Sequence, residues 1–293
     1  MSPMRIPRPH LALASAAALL TLATACAPSD SGDDDTEASA TPSSCDVADL
    51  ALVEKGTLTI ATDDPAYEPW FVDNDPTNGK GFESAVAYAV AEQLGFSADQ
   101  VTWTKVPFNT SYQPGEKSFD FDINQISITP EREKAVDFST PYYEAAQAVI
   151  TLKDSDFADA KSLADFADAK LGAQIGTTSL KAITDQIKPT TDPLVYDDTT
   201  KAAAALQNGQ VDGIVADLPT AFYLTAAEID DSVIAGQFQF DAGDPEQFGL
   251  LLGKDSELTP CVDQAVEALQ KDGTLADLEQ QWLSESASAP VLK

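Results

Sequence analysis

Arg132 is the only arginine beyond residue 8 in a 293-residue chain that carries 48 acidic and 17 basic side chains. It follows Thr129-Pro130-Glu131. Thr129 is of the N-cap type and Pro130 suits the first position of a helix. That predicts Arg132 at the third position, where the positive end of the helix disfavours a cation. A guanidinium there needs an anion or ample solvent. One reading is a solvated arginine paired with Glu131, Glu133 or Asp137. The other is a planar fork that holds a ligand carboxylate through two hydrogen bonds. Beyond His10 the chain has no imidazole. Ser-His-Asp and Cys-His nucleophilic catalysis, histidine general bases and histidine metal sites are therefore excluded for the folded part, and no cofactor or metal is expected.

The first residues read as an address. Arg5 and Arg8 precede an uncharged, Ala- and Leu-rich stretch, Leu11 to Ala25, too short to span a bilayer comfortably. It ends in Ala23-Thr24-Ala25-Cys26, which resembles the lipobox of bacterial lipoproteins, where the signal is cut before a Cys that is then acylated. Ala23 occupies the slot of the usual leucine, and Leu22 stands one place earlier. The alternative is an ordinary secretory signal with an incidental cysteine. Residues 1–25 are thus expected to be a lipoprotein signal peptide. Residues 26–44, rich in Pro, Ser, Thr and Asp without apolar period, are expected to be a solvated tether. The expected location is the extracytoplasmic face of the cytoplasmic membrane, reached through the lipid anchor alone. A formal charge of −31 argues against nucleic acid and against adhesion to anionic lipid through basic residues. Cys45 and Cys261 remain as an even pair, and outside the cytoplasm such a pair is expected to form a disulfide.

The segment Thr57 to Thr62 alternates and predicts a strand, as does Val101 to Val106. Between them, Asp63 to Gly81 is loop-like, and Phe82, Val86, Ala89, Val90 and Leu94 share one helical face that Gly95 ends. Further apolar runs at Ala148 to Leu152, Leu171 to Ile175, Leu194 to Tyr196, Gly213 to Ala216 and Gly249 to Leu252 predict short strands between helical patterns. Helices are predicted over Ser179 to Ile187, Cys261 to Leu269 and Leu275 to Leu283. Strands alternating with helices imply an α/β protein with mostly parallel sheets. A weak boundary near residue 150 suggests two lobes.

Several motifs, taken in order, resemble the polar amino acid-binding (family 3) solute-binding proteins of bacterial ABC importers. They are Ala66-Tyr67-Glu68-Pro69-Trp70, Gly81-Phe82-Glu83, Ser127-Ile128-Thr129-Pro130-Glu131-Arg132 and Phe138-Ser139-Thr140-Pro141-Tyr142, followed by Gly176-Thr177-Thr178, Asn208 to Gly213, Asp217, and Gly273-Thr274-Leu275 with Trp282. The resemblance covers about residues 55 to 285. It implies a two-lobed periplasmic-binding-protein type II fold with a ligand cleft at the hinge: residues 45–146 and the return segment 242–286 as lobe 1, residues 147–241 as lobe 2, and 287–293 as a C-terminal tail. By position, Arg132 resembles the arginine that grips the ligand α-carboxylate, with Ser127 and the backbone at Gln125 lining the same pocket. Thr178 would donate to that carboxylate from the other lobe, and Asp217 matches the group that takes the α-ammonium. Tyr67 and Trp70 lie where the family places aromatic rings over the ligand. Glu83 and Ser84 replace the family's usual Asp-containing start of the first helix, which bears on side-chain specificity.

A zwitterion leaving water needs both charges met, because an unpaired buried ion costs roughly several kcal/mol. The expected function is capture of a free amino acid by cleft closure and delivery to ABC permease subunits, by a monomer without catalytic residues. Other readings are a carboxylate-dependent dehydratase on the same fold, or a ligand-sensing domain without transport. The acids Asp63, Asp64 and Glu68 hint at a neutral or cationic guest side chain. Tyr142 and Tyr143 read as core or hinge packing, and Thr177 and Thr178 also read as simple caps.

Overall fold

A computed structural model describes residues 44–240, 245–283 and 289–293. The signal peptide, Cys26 and nearly all of the tether lie outside the described residues. In chain order the strands are β1 (Leu58–Thr62), β2 (Val101–Lys105), β3 (Phe121–Asp122), β4 (Val136–Phe138), β5 (Tyr143–Ala145), β6 (Gln147–Leu152), β7 (Leu171–Gln174), β8 (Leu194–Tyr196), β9 (Gly213–Asp217), β10 (Ser232–Phe238), β11 (Glu246–Phe248) and β12 (Leu251–Gly253). The helices are α1 (Phe82–Gln93), α2 (Phe108–Ser111), α3 (Thr178–Ala182), α4 (Thr199–Gln207), α5 (Leu218–Tyr223), α6 (Thr259–Asp272) and α7 (Thr274–Leu283).

Two five-stranded sheets organise the chain. The first runs β2-β1-β3-β12-β4 and the second β10-β6-β9-β7-β8. Each is covered on both faces, so its central strands are buried along almost their whole length. In β1, Leu58 and Ile60 face a core with Phe82, Val86, Val262 and Val266 from α1 and α6, while Ala61 faces Phe108, Phe119 and Leu251. In the second sheet Ala148, Ile150, Ile214 and Ala216 face α4 and α5, whereas Val149, Leu171 and Val215 face α3. An antiparallel ribbon of β5 and β11 stands between the sheets, where the chain passes from one to the other.

The expectation of mostly parallel sheets is corrected. β1 is parallel to β2 and β3, and β7 to β8 and β9, but β12 runs against β3 and β4, and β6 against β9 and β10. β6 enters the second sheet straight from β5, and β12 enters the first straight from β11 after the second sheet is built, so neither arrives through the helical crossover that makes neighbouring strands parallel. Strand β10 had no clear signal in the sequence. Its register shifts between Ile234 and Gly236, and a bulge breaks the period-2 pattern that would announce it.

The Cys45–Cys261 disulfide is present and ties the start of the described chain to α6. The last residues dock on the second sheet. Val291 bridges Gln237 in parallel, and Leu292 is buried with Phe238 and Leu171. Among the described residues no helix is long and apolar enough to cross a membrane.

Candidate functional site

A cavity of about 40 Å³ lies between the sheets. Its first wall comes from the loop after β1 (Asp63, Tyr67), the start of α2 (Phe108) and the segment after β3 (Asn124, Gln125). The opposite wall comes from the end of β7 (Gln174), the start of α3 (Thr177, Thr178, Ser179), Thr199, the end of β9 (Val215, Ala216, Asp217) and Thr220. The second wall follows directly from the parallel arrangement of β7 and β9, whose carboxyl ends point to the same side.

Asp217 ends β9 on that wall. Its Oδ1 accepts a 2.7 Å hydrogen bond from Gln147 Nε2, and the register pairs Gln147 with Asp217 across β6 and β9. Burial, followed by the charge of Glu246, pushes the Asp217 carboxyl well above the usual range. Thr178 lines the wall and its Oγ1 is 3.3 Å from Ser127 Oγ across the cleft. Thr177 serves as the cap: its Oγ1 accepts from Leu180 N at 3.1 Å. Tyr67 lines the first wall and its hydroxyl meets Thr200 of the second lobe, 3.2 Å from Oγ1. Gln125 lines the wall in a left-handed conformation, φ 47°. What holds it there is Glu83, whose carboxylate accepts the Gln125 backbone N–H at 2.7 Å and its side-chain amide as well. The Tyr142 hydroxyl also donates to Glu83.

Arg132 does not stand at the third position of an α-helix, as the Thr-Pro pattern predicted. It opens a single 3-10 turn, Arg132–Lys134, with Thr129 Oγ1 accepting its N–H at 3.3 Å. Strand β4 begins at Val136 and leaves no length for more helix. The guanidinium is buried behind the cavity wall, not on it. Its NH1 donates to Ser127 O at 2.7 Å and its NH2 to Gly176 O at 3.0 Å, the latter across the cleft. Phe108 and Tyr112 lie against it, with ring centres 5.4 and 4.8 Å from Cζ. Burial lowers its pKa from the ordinary value. Gly176 takes φ 76°, and a Cβ there would sit 2.2 Å from the Tyr112 hydroxyl oxygen, so glycine is what lets the carbonyl approach Arg132.

Two further expected residues stand back from the cavity. Trp70 is fully buried, edge-on to Phe82 and Tyr143, and is a core side chain, not a ring over a guest. Its indole N–H does reach across the cleft to Thr220 Oγ1 at 2.8 Å. Ser127 is buried, and its hydroxyl donates to Glu246 Oε1 at 2.5 Å. Tyr142 and Tyr143 pack around Phe82 and Phe248. Asp63 lines the cavity, where burial raises its carboxyl, while Asp64 pairs with Lys105 at 2.7 Å outside it.

Sequence reasoning missed Gln147 and Glu246. Gln147 Nε2 donates to Glu246 Oε2 at 2.8 Å as well as to Asp217, and Gln147 Oε1 accepts from Ser179 Oγ at 2.6 Å. Both lie where the chain changes sheets, and Glu246 sits in a stretch that reads as polar loop. No local pattern singles them out.

Comparison with known proteins places this architecture. The family model described as bacterial extracellular solute-binding proteins, family 3, matches residues 58–285. The chain is 30% identical over 239 residues to the ABC transporter arginine-binding protein 1 of Escherichia coli strain K12, covering 79% of this chain and 92% of that protein. It is also 30% identical to the L-cystine-binding protein TcyJ of the same strain, over 78% of this chain and 83% of that one. A solved ancestral arginine-binding protein bound to glutamine superposes with TM-score 0.65 at 31% identity, covering 78% of this chain and 98% of its own. The two lobes, the strand ribbon between them and the cleft are those of the type II periplasmic-binding-protein fold. On the full span of the match and of the fold, the chain belongs to the bacterial extracellular solute-binding proteins, family 3.

Proposed function

We propose that this protein captures a free amino acid outside the cytoplasm and delivers it to the permease of an ABC importer, acting as a monomer held by a lipid on Cys26. The lobes are 45–146 with 242–286, and 147–241. The observation that carries the reading is the placement of Asp217 and Thr178 on one wall of a polar cavity whose other wall is Tyr67, Phe108 and Gln125. Asp217 takes the α-ammonium. The α-carboxylate enters between Arg132 and Thr178 and replaces Gly176 O as the partner of the guanidinium NH2 group. Ser127 and Gln125 frame that end.

Closure follows from differential contacts. Asp217 and Thr178 belong to one lobe and Arg132 to the other, so both charges of a zwitterion are met only when the lobes meet. The interlobe bonds Trp70 Nε1 to Thr220 and Tyr67 to Thr200 support the same geometry. The carboxyl of Asp63 in the cavity wall favours a guest with a neutral or cationic side chain.

Calorimetric titration with the common amino acids tests the reading. The expected result is saturable binding of at least one amino acid. N-acetylation of that guest, or Asp217→Asn, should weaken it by at least about tenfold, the scale of one lost charged hydrogen bond. Absence of binding by every amino acid would overturn the assignment.

A further inference from the structure

Asp217 and Glu246 form a buried acidic pair held by one amide. Gln147 Nε2 spends both of its N–H bonds on them, one to Asp217 Oδ1 at 2.7 Å and one to Glu246 Oε2 at 2.8 Å. Glu246 Oε1 takes the Ser127 hydroxyl, so both Glu246 oxygens are engaged. Among the described residues no hydrogen bond is made to Asp217 Oδ2, on a side chain that lines the cavity. Among the described residues neither carboxylate is in an ion pair. The nearby guanidinium of Arg132 spends its hydrogen bonds on two carbonyls.

We propose that Glu246 is a positioning residue which, held beside Asp217 by the Gln147 amide they share, keeps through its charge a proton on Asp217 that the guest's ammonium must displace, so that capture releases a proton. This rests on the assignment of Asp217 to the ammonium. Burial and the neighbouring Glu246 charge disfavour a negative charge on Asp217, and they outweigh the Gln147 hydrogen bond and the Arg132 charge, which favour it. Both Glu246 oxygens already accept hydrogen bonds, while Asp217 accepts only on Oδ1 among the described residues, which leaves Oδ2 for the O–H. When the ammonium arrives it supplies the missing positive charge, Asp217 ionises, and the proton passes to bulk solvent.

The other groups around Asp217 act in both directions, Glu83 raising its carboxyl and Arg132 lowering it. They are Glu83 on α1, Asp63 in the cavity wall, Tyr142 and Tyr143 beside the ribbon, and Arg132. Arg132 is the one cation among them, and it faces several acids. Burial and the Glu246 charge act together in raising Asp217.

The test is calorimetry on the intact protein with a bound amino acid whose side chain does not titrate between about pH 5 and pH 8, repeated in phosphate and in Bis-Tris. The difference in binding enthalpy between the two buffers counts protons. Wild type is expected to release up to about one proton on binding, and its affinity to fall towards acid pH with a slope approaching tenfold per unit. In Glu246→Gln both the release and the acid loss shift to lower pH, because Asp217 then ionises without opposing a second charge. No proton release by wild type at any pH would overturn the proposal, whether or not the variant folds. So would a Glu246→Gln protein with the wild-type proton count and pH profile, which would assign the proton to Glu83 or elsewhere. Failure of every amino acid to bind would instead remove the functional reading beneath it.

Discussion

Glu83 shows how much a single buried side chain can decide at the residue scale. It replaces an aspartate expected from family resemblance, and the longer arm lets its carboxylate reach both the backbone and the side chain of Gln125. That contact holds a cavity residue in the left-handed region, which few non-glycine side chains occupy unaided. Burial pushes the Glu83 carboxyl up to about 7 from an ordinary 4.5. The folded protein therefore binds this proton more tightly than the unfolded chain does. The associated stability is fully present below pH 4.5 and is lost as pH rises towards about 7. The amount at stake is about 3 kcal/mol. Urea unfolding of wild type across that window should show this decline, and Glu83→Gln should flatten it. Equal slopes for the two proteins would show that Glu83 is not the group responsible. Arg132 carries a different lesson. Its type and isolation left two readings open, a solvated arginine or a fork for an anion, and nothing around it in sequence announced the two carbonyls it holds.

The element that matters most to the site is the short turn between β7 and α3. Gly176 brings its carbonyl under Arg132 while Thr177 caps the helix and Thr178 turns to the cavity. All three tasks fall on consecutive residues because a strand end, a positive-φ glycine and a capped helix start must follow one another there. Gly176→Ala forces an unfavourable φ, costing about 1 kcal/mol, and obliges the Tyr112 ring to withdraw from the guanidinium. The expected outcome is a modest loss in thermal stability and a larger proportional loss in amino acid affinity. Unchanged affinity would mean that the Gly176 turn and the Tyr112 ring do not set the position of the Arg132 guanidinium for the guest. The β5–β11 ribbon is the second such element, since it carries Glu246 to the side of Gln147.

At the scale of the whole molecule, the disulfide and the terminal docking tie distant segments together. Cys45 and Cys261 are 216 residues apart and join the start of the described residues to α6, packed against the first core. Closing so long a loop in the unfolded chain is worth roughly 2–5 kcal/mol. Cys45→Ser with Cys261→Ser should lower the melting temperature by on the order of 10 °C, with amino acid affinity at low temperature preserved. A loss of affinity comparable to that of Asp217→Asn would show that the bridge reaches the cleft. The strong negative charge keeps the molecule soluble and away from anionic surfaces, but it is spread too widely to select a guest.

The α/β character, α1, the helices at the C-terminal end and the pairing of the two cysteines were legible in the order of residues, because apolar period, glycine stops and residue type act locally. The place of Asp217 in the cavity wall was legible too, through resemblance. Strand direction, the burial of Trp70, the retreat of Arg132 behind the wall and the bridge from Glu246 through Gln147 to Asp217 were not. The bridge joins groups 70 and 99 residues apart, Arg132 meets Gly176 over 44 and Trp70 meets Thr220 over 150, while strand direction depends on which segments pair across a sheet. Short-range periodicity carries no record of such meetings, and only the packed lobes bring them about.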